Sequence, residues 1–472
     1  MTGTADAARP EDPDLLVPGA RRMRPDDAFM LLTETDATPM HVGALLILEV
    51  PQAKKAGFYE TIRNQIAERL PHTPLLVGVR EAPDGYDSDV WLDLPNCDLD
   101  YHIRRVPADR DMDDAALHAF IAECIMQRLD MSKPPFEVHV LDRLTGDRCA
   151  LYMKVSHAIT DGIGFQTILG MLSDEYPPAE PRTAEGRLPS DDEWRRLADE
   201  RFAREAPIVA EMSARRKQAL AALEEINADP ERARAPTPTL KLSGPTSTKR
   251  AYATVSIPLA QIKALSKRYD GTINDMFMAV AASALRRFLI EIDDLPDTPI
   301  VINSARSYRR PEHGQFGNRI VALHPHLATT IADPVERLRA IQHSMALERA
   351  RTGYDEAMLG QLEKPYGARD RRAKFASRHE GGRALLPGNI TLSNVPGPAE
   401  TRTYAGFRQI ANFPTPLLGS GRFLNITSRR NGDFLDMGIM VDPTKVSDPT
   451  KIGRYLKDAV EEYERLADAQ AR

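Results

Sequence analysis

The sequence predicts an α/β fold, in the broad sense that includes α+β layering, organised as two domains joined by a long crossover. Three observations carry that prediction. Strand-like apolar runs alternate with helical patterns through both halves of the chain. From 177 to about 249 the alternation stops, with prolines at 177, 178, 181 and 189 and a charged helical stretch beginning DDEWRRLADE. Finally, 472 residues with 42% hydrophobic content can fill more than one core, at ~150 residues per domain.

Taken in order, the first 28 residues mix acids, prolines and arginines without an apolar segment, so no secretory signal is expected and the protein is placed in the cytoplasm. The run MHVGALLILEVP from Met40 reads as a buried strand. In the segment after it, Ile62, Ile66 and Leu70 recur at helical spacing. LLVGVR, VWLDL and YHIRRV read as short strands, DDAALHAFIAECIMQRLD as a helix, and FEVHVLDRL with CALYMKVSH as a strand pair about the loop TGD. These elements define a first domain over 1–176, followed by the crossover over 177–249. The second domain, 250–472, opens with the strand RAYATVSIPL and the helix QIKALSKRYD. TINDMFMAVAASALRRFLIEI follows, with Asn274 and Asp275 at the apparent helix start. PIVINSA, RIVALHPHL, NITLSNV, FLNITSRR and FLDMGIMVD supply its later strands.

Several function classes are excluded at this level. The 62 basic and 68 acidic residues give a formal charge of −6 without a long single-sign block, unlike a general nucleic-acid binder. Cys97, Cys124 and Cys149 are odd in number and far apart, which fits reduced core residues rather than disulfides or a metal site. No window reaches the roughly 18 uninterrupted apolar residues of a membrane span, so membrane contact is expected to be peripheral. GIG at 162–164 lacks the third glycine of a dinucleotide fingerprint, and no Gly-x-Ser-x-Gly elbow is present. The histidines of HPH at 324–326 have no third ligand at metal spacing and are expected to face solvent, so no metal is assigned. Basic RDRRAKFASRHEGGR at 369–383 reads as a solvated loop, or as a surface for anionic headgroups or CoA phosphates.

Chemistry concentrates in CALYMKVSHAITDGIGFQTILGML at 149–172. A strand delivers His157 to a turn, Gly162 permits a tight bend, and Asp161 either caps the next helix or holds a distant arginine. An imidazole with an ordinary pKa of ~6.5 is abundant as the neutral base at cytoplasmic pH. The plainer reading is a capped strand-to-helix turn with a bystander histidine.

SHAITDG resembles the His-His-x-x-x-Asp-Gly signature of the CoA-dependent acyltransferase superfamily, which includes wax ester synthases, condensation domains of peptide synthetases and chloramphenicol acetyltransferase. Further segments resemble the wax ester synthase/diacylglycerol acyltransferase branch, in that branch's order. DATPMHVGALLILE resembles its N-terminal strand, KPPFEVHVLDRL its Pro-Leu-Trp-Glu segment, TINDMFMAVAASALRRFL its Asn-Asp helix start, and NSARSYR its Val-Ser-Val-Arg stretch. GNRI resembles its Gly-Asn turn, LSNVPGP its Ser-Asn-Val-Pro-Gly-Pro loop, and FLNITSRRNGDFLDMGIMVD its last hairpin.

The resemblance covers nearly the whole chain and implies two chloramphenicol-acetyltransferase-like domains with a central channel between them. It implies transfer of an acyl group from acyl-CoA to diacylglycerol or a fatty alcohol, with His157 as general base and with no metal or redox cofactor. Asp161 would be structural and paired with an arginine, for which Arg306 is the candidate by position. Asn274 and Asp275 would shape the channel, against an ordinary helix cap. Asn394, Pro396 and Gly397 would form a rigid loop at the domain junction. Two departures stand out. Ser156 replaces the first histidine, as a filler, a hydrogen-bonding group or the mark of a paralogue with altered acceptor, and Phe136 replaces the tryptophan. These departures leave open a specialised acyltransferase for another hydroxyl or amine, or a catalytically weak lipid-binding relative.

Overall fold

The computed structural model describes residues 14–83, 88–177, 181, 185–229, 232–314, 316–361 and 387–470. The basic stretch 369–383 lies outside them.

Two short strands, β1 (Leu15–Val17) and β2 (Ala20–Arg22), precede α1 (Pro25–Thr33), whose proline start and Asp26–Asp27 first turn suit a helix N-terminus. β3 (His41–Glu49) leads to α2 (Phe58–Arg69), then to β4 (Val77–Arg80) and β5 (Val90–Asp93). YHIRRV divides between the end of α3 (Leu99–His102) and β6 (Ile103–Arg105), because Asp98 caps a single helical turn there. α4 (Asp114–Cys124), β7 (Phe136–Leu141), β8 (Arg148–Ser156) and α5 (Gly162–Met171) complete the first half. The crossover carries α6 (Asp191–Ala228), opened by a Ser190–Glu193 capping box.

The second half runs through β9 (Ala251–Pro258), α7 (Leu259–Arg268), α8 (Ile273–Glu291), β10 (Ile302–Ser307), β11 (Ile320–Leu323) and α9 (Pro334–Gln361). β12 (Ile390–Val395), β13 (Thr403–Tyr404), β14 (Phe407–Thr415), β15 (Leu424–Asn431), β16 (Phe434–Val441) and α10 (Pro449–Gln470) follow.

These strands form a four-stranded sheet, β1-β2-β5-β4, and two six-stranded sheets, β13-β14-β3-β8-β7-β6 and β11-β10-β12-β15-β16-β9. The two-domain α/β expectation holds, with one exchange across the sequence division: β13 and β14 leave the second half and join the first half's sheet beside β3, Phe413 facing Leu45 and Pro414 facing Ala44. β14 is stitched to the second sheet as well, since Tyr252 Oη donates to Pro414 O at 2.8 Å and Arg429 Nη1 to Asn412 Oδ1 at 2.9 Å.

β3 is apolar without alternation because both its faces are covered. Ala44, Leu46 and Leu48 pack in the core that holds Phe58, Ile62 and Phe165; Leu45 and Ile47 pack with Leu117, Ile121 and the second-half residues Tyr252 and Met440. The second core surrounds α8, whose residues Met276–Leu285 are all buried, so that helix is apolar on nearly every side. Cys124 and Cys149 are buried as expected, whereas Cys97 is half-buried. None of the described helices is long and apolar enough to cross a membrane.

Candidate active site

β8 ends at Ser156 and α5 begins at Gly162, so residues 157–161 turn the chain from an inner strand into a helix. Backbone hydrogen bonds fix this turn from three directions: Ser156 N donates to Pro135 O at 3.0 Å, His157 N to Met40 O at 2.8 Å, and Gly317 N to Ile159 O at 3.1 Å. Ser156 is buried, stands opposite His41 on β3, and accepts from Ala158 N at 3.3 Å. The position of the missing first histidine is therefore part of the turn's framework. Phe136 is fully buried and stacks on His102 at 4.6 Å, so the residue in place of the tryptophan serves packing.

The His157 ring is partly exposed. Burial of much of its surroundings is the main cause that holds its pKa below the ordinary 6.5. Its tautomer follows from Asn318. Asn318 Nδ2 donates to His157 O at 2.7 Å and to Asp27 Oδ1 at 2.8 Å, an oxygen that also accepts Asn318 N at 2.7 Å. With the amide nitrogen so assigned from its partners, Asn318 Oδ1 faces His157 Nδ1 at 3.0 Å and can only accept. Nδ1 carries the hydrogen, and Nε2 keeps its lone pair. Asp27, 3% exposed, has its pKa pushed up to about 7 by burial, against the hydrogen bonds from Asn318.

Asp161 fulfils both roles foreseen for it. Its Oδ1 caps α5 by accepting Ile163 N and Gly164 N, each at 3.1 Å; its Oδ2 accepts Arg309 Nη2 at 2.8 Å and Arg319 N at 3.3 Å. The arginine is thus Arg309 and not Arg306. Arg306 lies within β10 opposite Val321 and is exposed, whereas β10 ends at Ser307 and the turn after it brings Arg309 inward. Arg309 Nη1 also donates to Gly314 O and Phe316 O, both at 2.9 Å, clasping the loop that presents Asn318.

Gly162 needs correction in its reason. Its φ is not left-handed; a Cβ there would stand 3.0 Å from Val395, so close approach of β12 is what favours glycine. Beyond Val395, Pro396 and Gly397 line a cavity of about 320 Å³ with Ile163, Gln166 and Arg402. A Cβ on Gly397 would stand 1.9 Å from Arg430 O, so only glycine fits. Asn394 Oδ1 accepts from Ser428 Oγ at 3.0 Å. The 394–397 segment is accordingly a junction between α5 and the second sheet.

Asn274 and Asp275 are not the cap pair. Thr272 is the N-cap; its side chain accepts Asp275 N, and Asp275 returns a bond from Thr272 N at 2.9 Å. Asn274 Nδ2 reaches Met278 Sδ at 3.3 Å. The hydrogen bonds of both side chains stay within the first turns of α8. His324 and His326, expected to face solvent, are half-buried beside α9, where His326 N donates to Ser344 Oγ.

One group of possible metal ligands occurs among the described residues: Cys124 Sγ lies 3.1 Å from His139 Nε2, itself 3.2 Å from Glu137 Oε2. The buried Lys154 ammonium already stands 3.1 Å from that carboxylate and donates to Cys124 O and Gln127 O, so the charge is balanced by the chain itself.

Sequence reasoning missed Asp27, Asn318 in its contact to the histidine, and Arg309. GNRI had marked the turn but not its reach. RPDDAF carried a helix-start signal, though nothing in it announced a buried aspartate.

Three comparisons bear on this geometry. Residues 23–277 match the family model described as the wax ester synthase/diacylglycerol acyltransferase catalytic domain, and residues 316–464 match the C-terminal domain of the same family. Putative diacylglycerol O-acyltransferases of Mycobacterium tuberculosis are 28% identical over 89% of this chain and 92% of theirs, and 29% identical over 94% and 99%. Among solved structures, the wax ester synthase/diacylglycerol acyltransferase from Marinobacter aquaeolei aligns with a TM-score of 0.66 at 23% identity, covering 95% of this chain and all of that one. The first condensation domain of the calcium-dependent antibiotic synthetase aligns with a TM-score of 0.57 at 13% identity, covering 95% and 96%. At these identities the two structures speak for the fold.

Proposed function

This chain belongs to the wax ester synthase/diacylglycerol acyltransferase family and is an acyl-CoA-dependent acyltransferase, and from that premise we propose that His157 is its general base and that its acceptor is the hydroxyl of a diacylglycerol or a fatty alcohol. The observation that carries the assignment is the orientation of His157: Asn318 Oδ1 occupies Nδ1, which leaves Nε2 as the basic atom.

In the reaction, Nε2 removes the acceptor's hydroxyl proton as the oxygen attacks the thioester carbon. The tetrahedral oxyanion collapses with cleavage of the carbon–sulfur bond, and the imidazolium returns its proton to the departing CoA sulfur. One histidine performs both transfers, so the scheme calls for neither metal nor redox cofactor. Asn318 holds the tautomer, Asp27 holds Asn318 from α1, and Asp161 with Arg309 fixes the loop that carries Asn318. The depressed pKa of His157 keeps the base neutral at pH 6.5 and above; the rate falls as pH drops through that lowered value. Both acceptors are lipids, so we place the reaction in the cytoplasm at the surface of a membrane or lipid inclusion, with peripheral contact.

The test supplies radiolabelled palmitoyl-CoA with diacylglycerol in one tube and hexadecanol in another. The purified chain is expected to yield triacylglycerol, wax ester or both, and His157→Ala to lose about 10²–10⁴-fold in turnover. Full activity in His157→Ala removes the base assignment, and absence of both products from the unmodified chain removes the acceptor assignment.

A further inference from the structure

A second polar centre lies apart from the His157 turn. A cavity of about 690 Å³ is lined by Asn227 of α6, Arg234, Ala322 and His324 at β11, and Arg351 of α9, a volume within the usual range for a small-molecule site. Its floor is organised by Glu348, 1% exposed. Glu348 Oε1 accepts Arg234 Nε at 2.9 Å and Arg351 Nη1 at 2.8 Å; Oε2 accepts Arg234 Nη2 at 2.8 Å and His324 N at 2.9 Å. Four donors fill the roughly four lone-pair sites of one carboxylate, so Glu348 has nothing left to offer.

The donors are not exhausted. Among the described residues Arg351, 8% exposed, keeps Nε and Nη2 buried and without a partner, and His324 Nδ1, a donor in one of the ring's two neutral tautomers, is likewise unpartnered. Arg422, 3% exposed and near enough to His324 to act on it electrostatically, also has an orphaned Nε. Two guanidinium groups, Arg234 and Arg351, therefore meet one carboxylate, a surplus of one positive charge (2 − 1), and the Arg422 charge acts on His324 beside them. Buried donors without acceptors cost about 1–3 kcal/mol each, and a guanidinium costs more than a neutral donor. A site that leaves this many unfilled is arranged for an anion from outside the chain.

We propose that this cavity binds a phosphomonoester group. The Nε–Nη2 edge of Arg351 is the fork that takes two oxygens side by side. In the tautomer that protonates Nδ1, His324 donates from the end of β11 to a third oxygen, which a phosphate has and a carboxylate lacks, so an anion bound there selects that tautomer. The remaining volume accommodates the organic body that carries the phosphate. Such a group is available from the nucleotide end of CoA or from a glycerophosphate headgroup, and the same three donors would read either.

Calorimetric titration of the full chain separates the sources, with adenosine 3′,5′-bisphosphate in one arm and glycerol 3-phosphate in the other. Saturable binding of at least one is expected, weakened tenfold or more by Arg351→Gln and by Ala322→Glu, and the tighter ligand names the source. Ala322 is exposed on β11, so Ala322→Glu places a competing carboxylate in the cavity and keeps the test intact should loss of Arg351 unfold the chain. Far-ultraviolet circular dichroism and the thermal unfolding midpoint of both variants serve as the control for folding. Binding of neither ligand, or binding that survives both substitutions, overturns the proposal.

Discussion

The two flanks of the His157 turn each bury an aspartate, and they settle its charge in opposite ways. On the α5 side, Asp161 receives four hydrogen bonds, two from the helix N-terminus, one from a backbone N–H and one from the Arg309 guanidinium. On the α1 side, Asp27 receives, among the described residues, the two N–H groups of Asn318, both on one oxygen, and burial pushes its pKa up to about 7. The first is a rivet, an ion whose every lone pair is used. The second is a prop that titrates near neutrality and acts on the histidine through an amide. A catalytic turn can thus be anchored by a charge on one side while the side that sets the tautomer stays close to neutral.

The comparison is broken most forcefully at Arg309. Arg309→Met strands a buried carboxylate and is expected to cost ~3–5 kcal/mol in urea denaturation; a loss below about 1 kcal/mol would show that the α5 side is held by its helix cap alone. Next comes Asp27. A carboxyl raised from 3.8 to about 7 stabilises the fold fully below pH ~3.8 and loses that contribution as pH rises through about 7, by at most about 4 kcal/mol. Stability of the unmodified chain should therefore fall across that window relative to Asp27→Asn, and parallel curves would return Asp27 to ordinary behaviour.

Asn318→Ala sharpens the functional side. Loss of the Nδ1 acceptor is expected to lower turnover about 10–100-fold, the equivalent of ~1.4–2.7 kcal/mol, with KM little changed. The acid limb of the pH profile should move lower, since the Asn318 bond raises the histidine's pKa. A merely structural asparagine would leave that limb in place. The smallest effect belongs to Arg306→Ala, which should stay within about 0.5 kcal/mol and near full activity, as exposed substitutions do. An effect as large as that of Arg309→Met would reverse the assignment of the Asp161 partner.

Much of this arrangement was readable beforehand, and for a definite reason. The strand carrying His157, the helix after it and the capping role of Asp161 depend on local periodicity and local hydrogen bonds, which a sequence displays. The choice between Arg306 and Arg309 depends on where β10 stops pairing, a matter of tertiary register that two arginines in one short segment cannot announce. Asn274 and Asp275 do stand in the first turn of α8, but only Asp275 belongs to the cap, because the capping box begins at Thr272. The tie from Asp27 to Asn318 spans nearly three hundred residues, and neither end has a local pattern that requires it. Exchange of β14 into the first sheet was likewise invisible: FRQIANFPT is not among the strands expected from the sequence, and its pairing with β3 is a tertiary contact.

That exchange sets a schedule for the chain's birth. The sheet that carries His157 lacks β14 until residue 415 has left the ribosome, about 260 residues after β8 is finished, or roughly ten seconds to a minute of synthesis. Throughout that interval the apolar β3, HVGALLILE, presents an unpaired edge, the kind of template on which nascent chains pair with one another. The first half of this molecule is thus born in need of a guardian, and its own distant hairpin is the guardian that finally arrives.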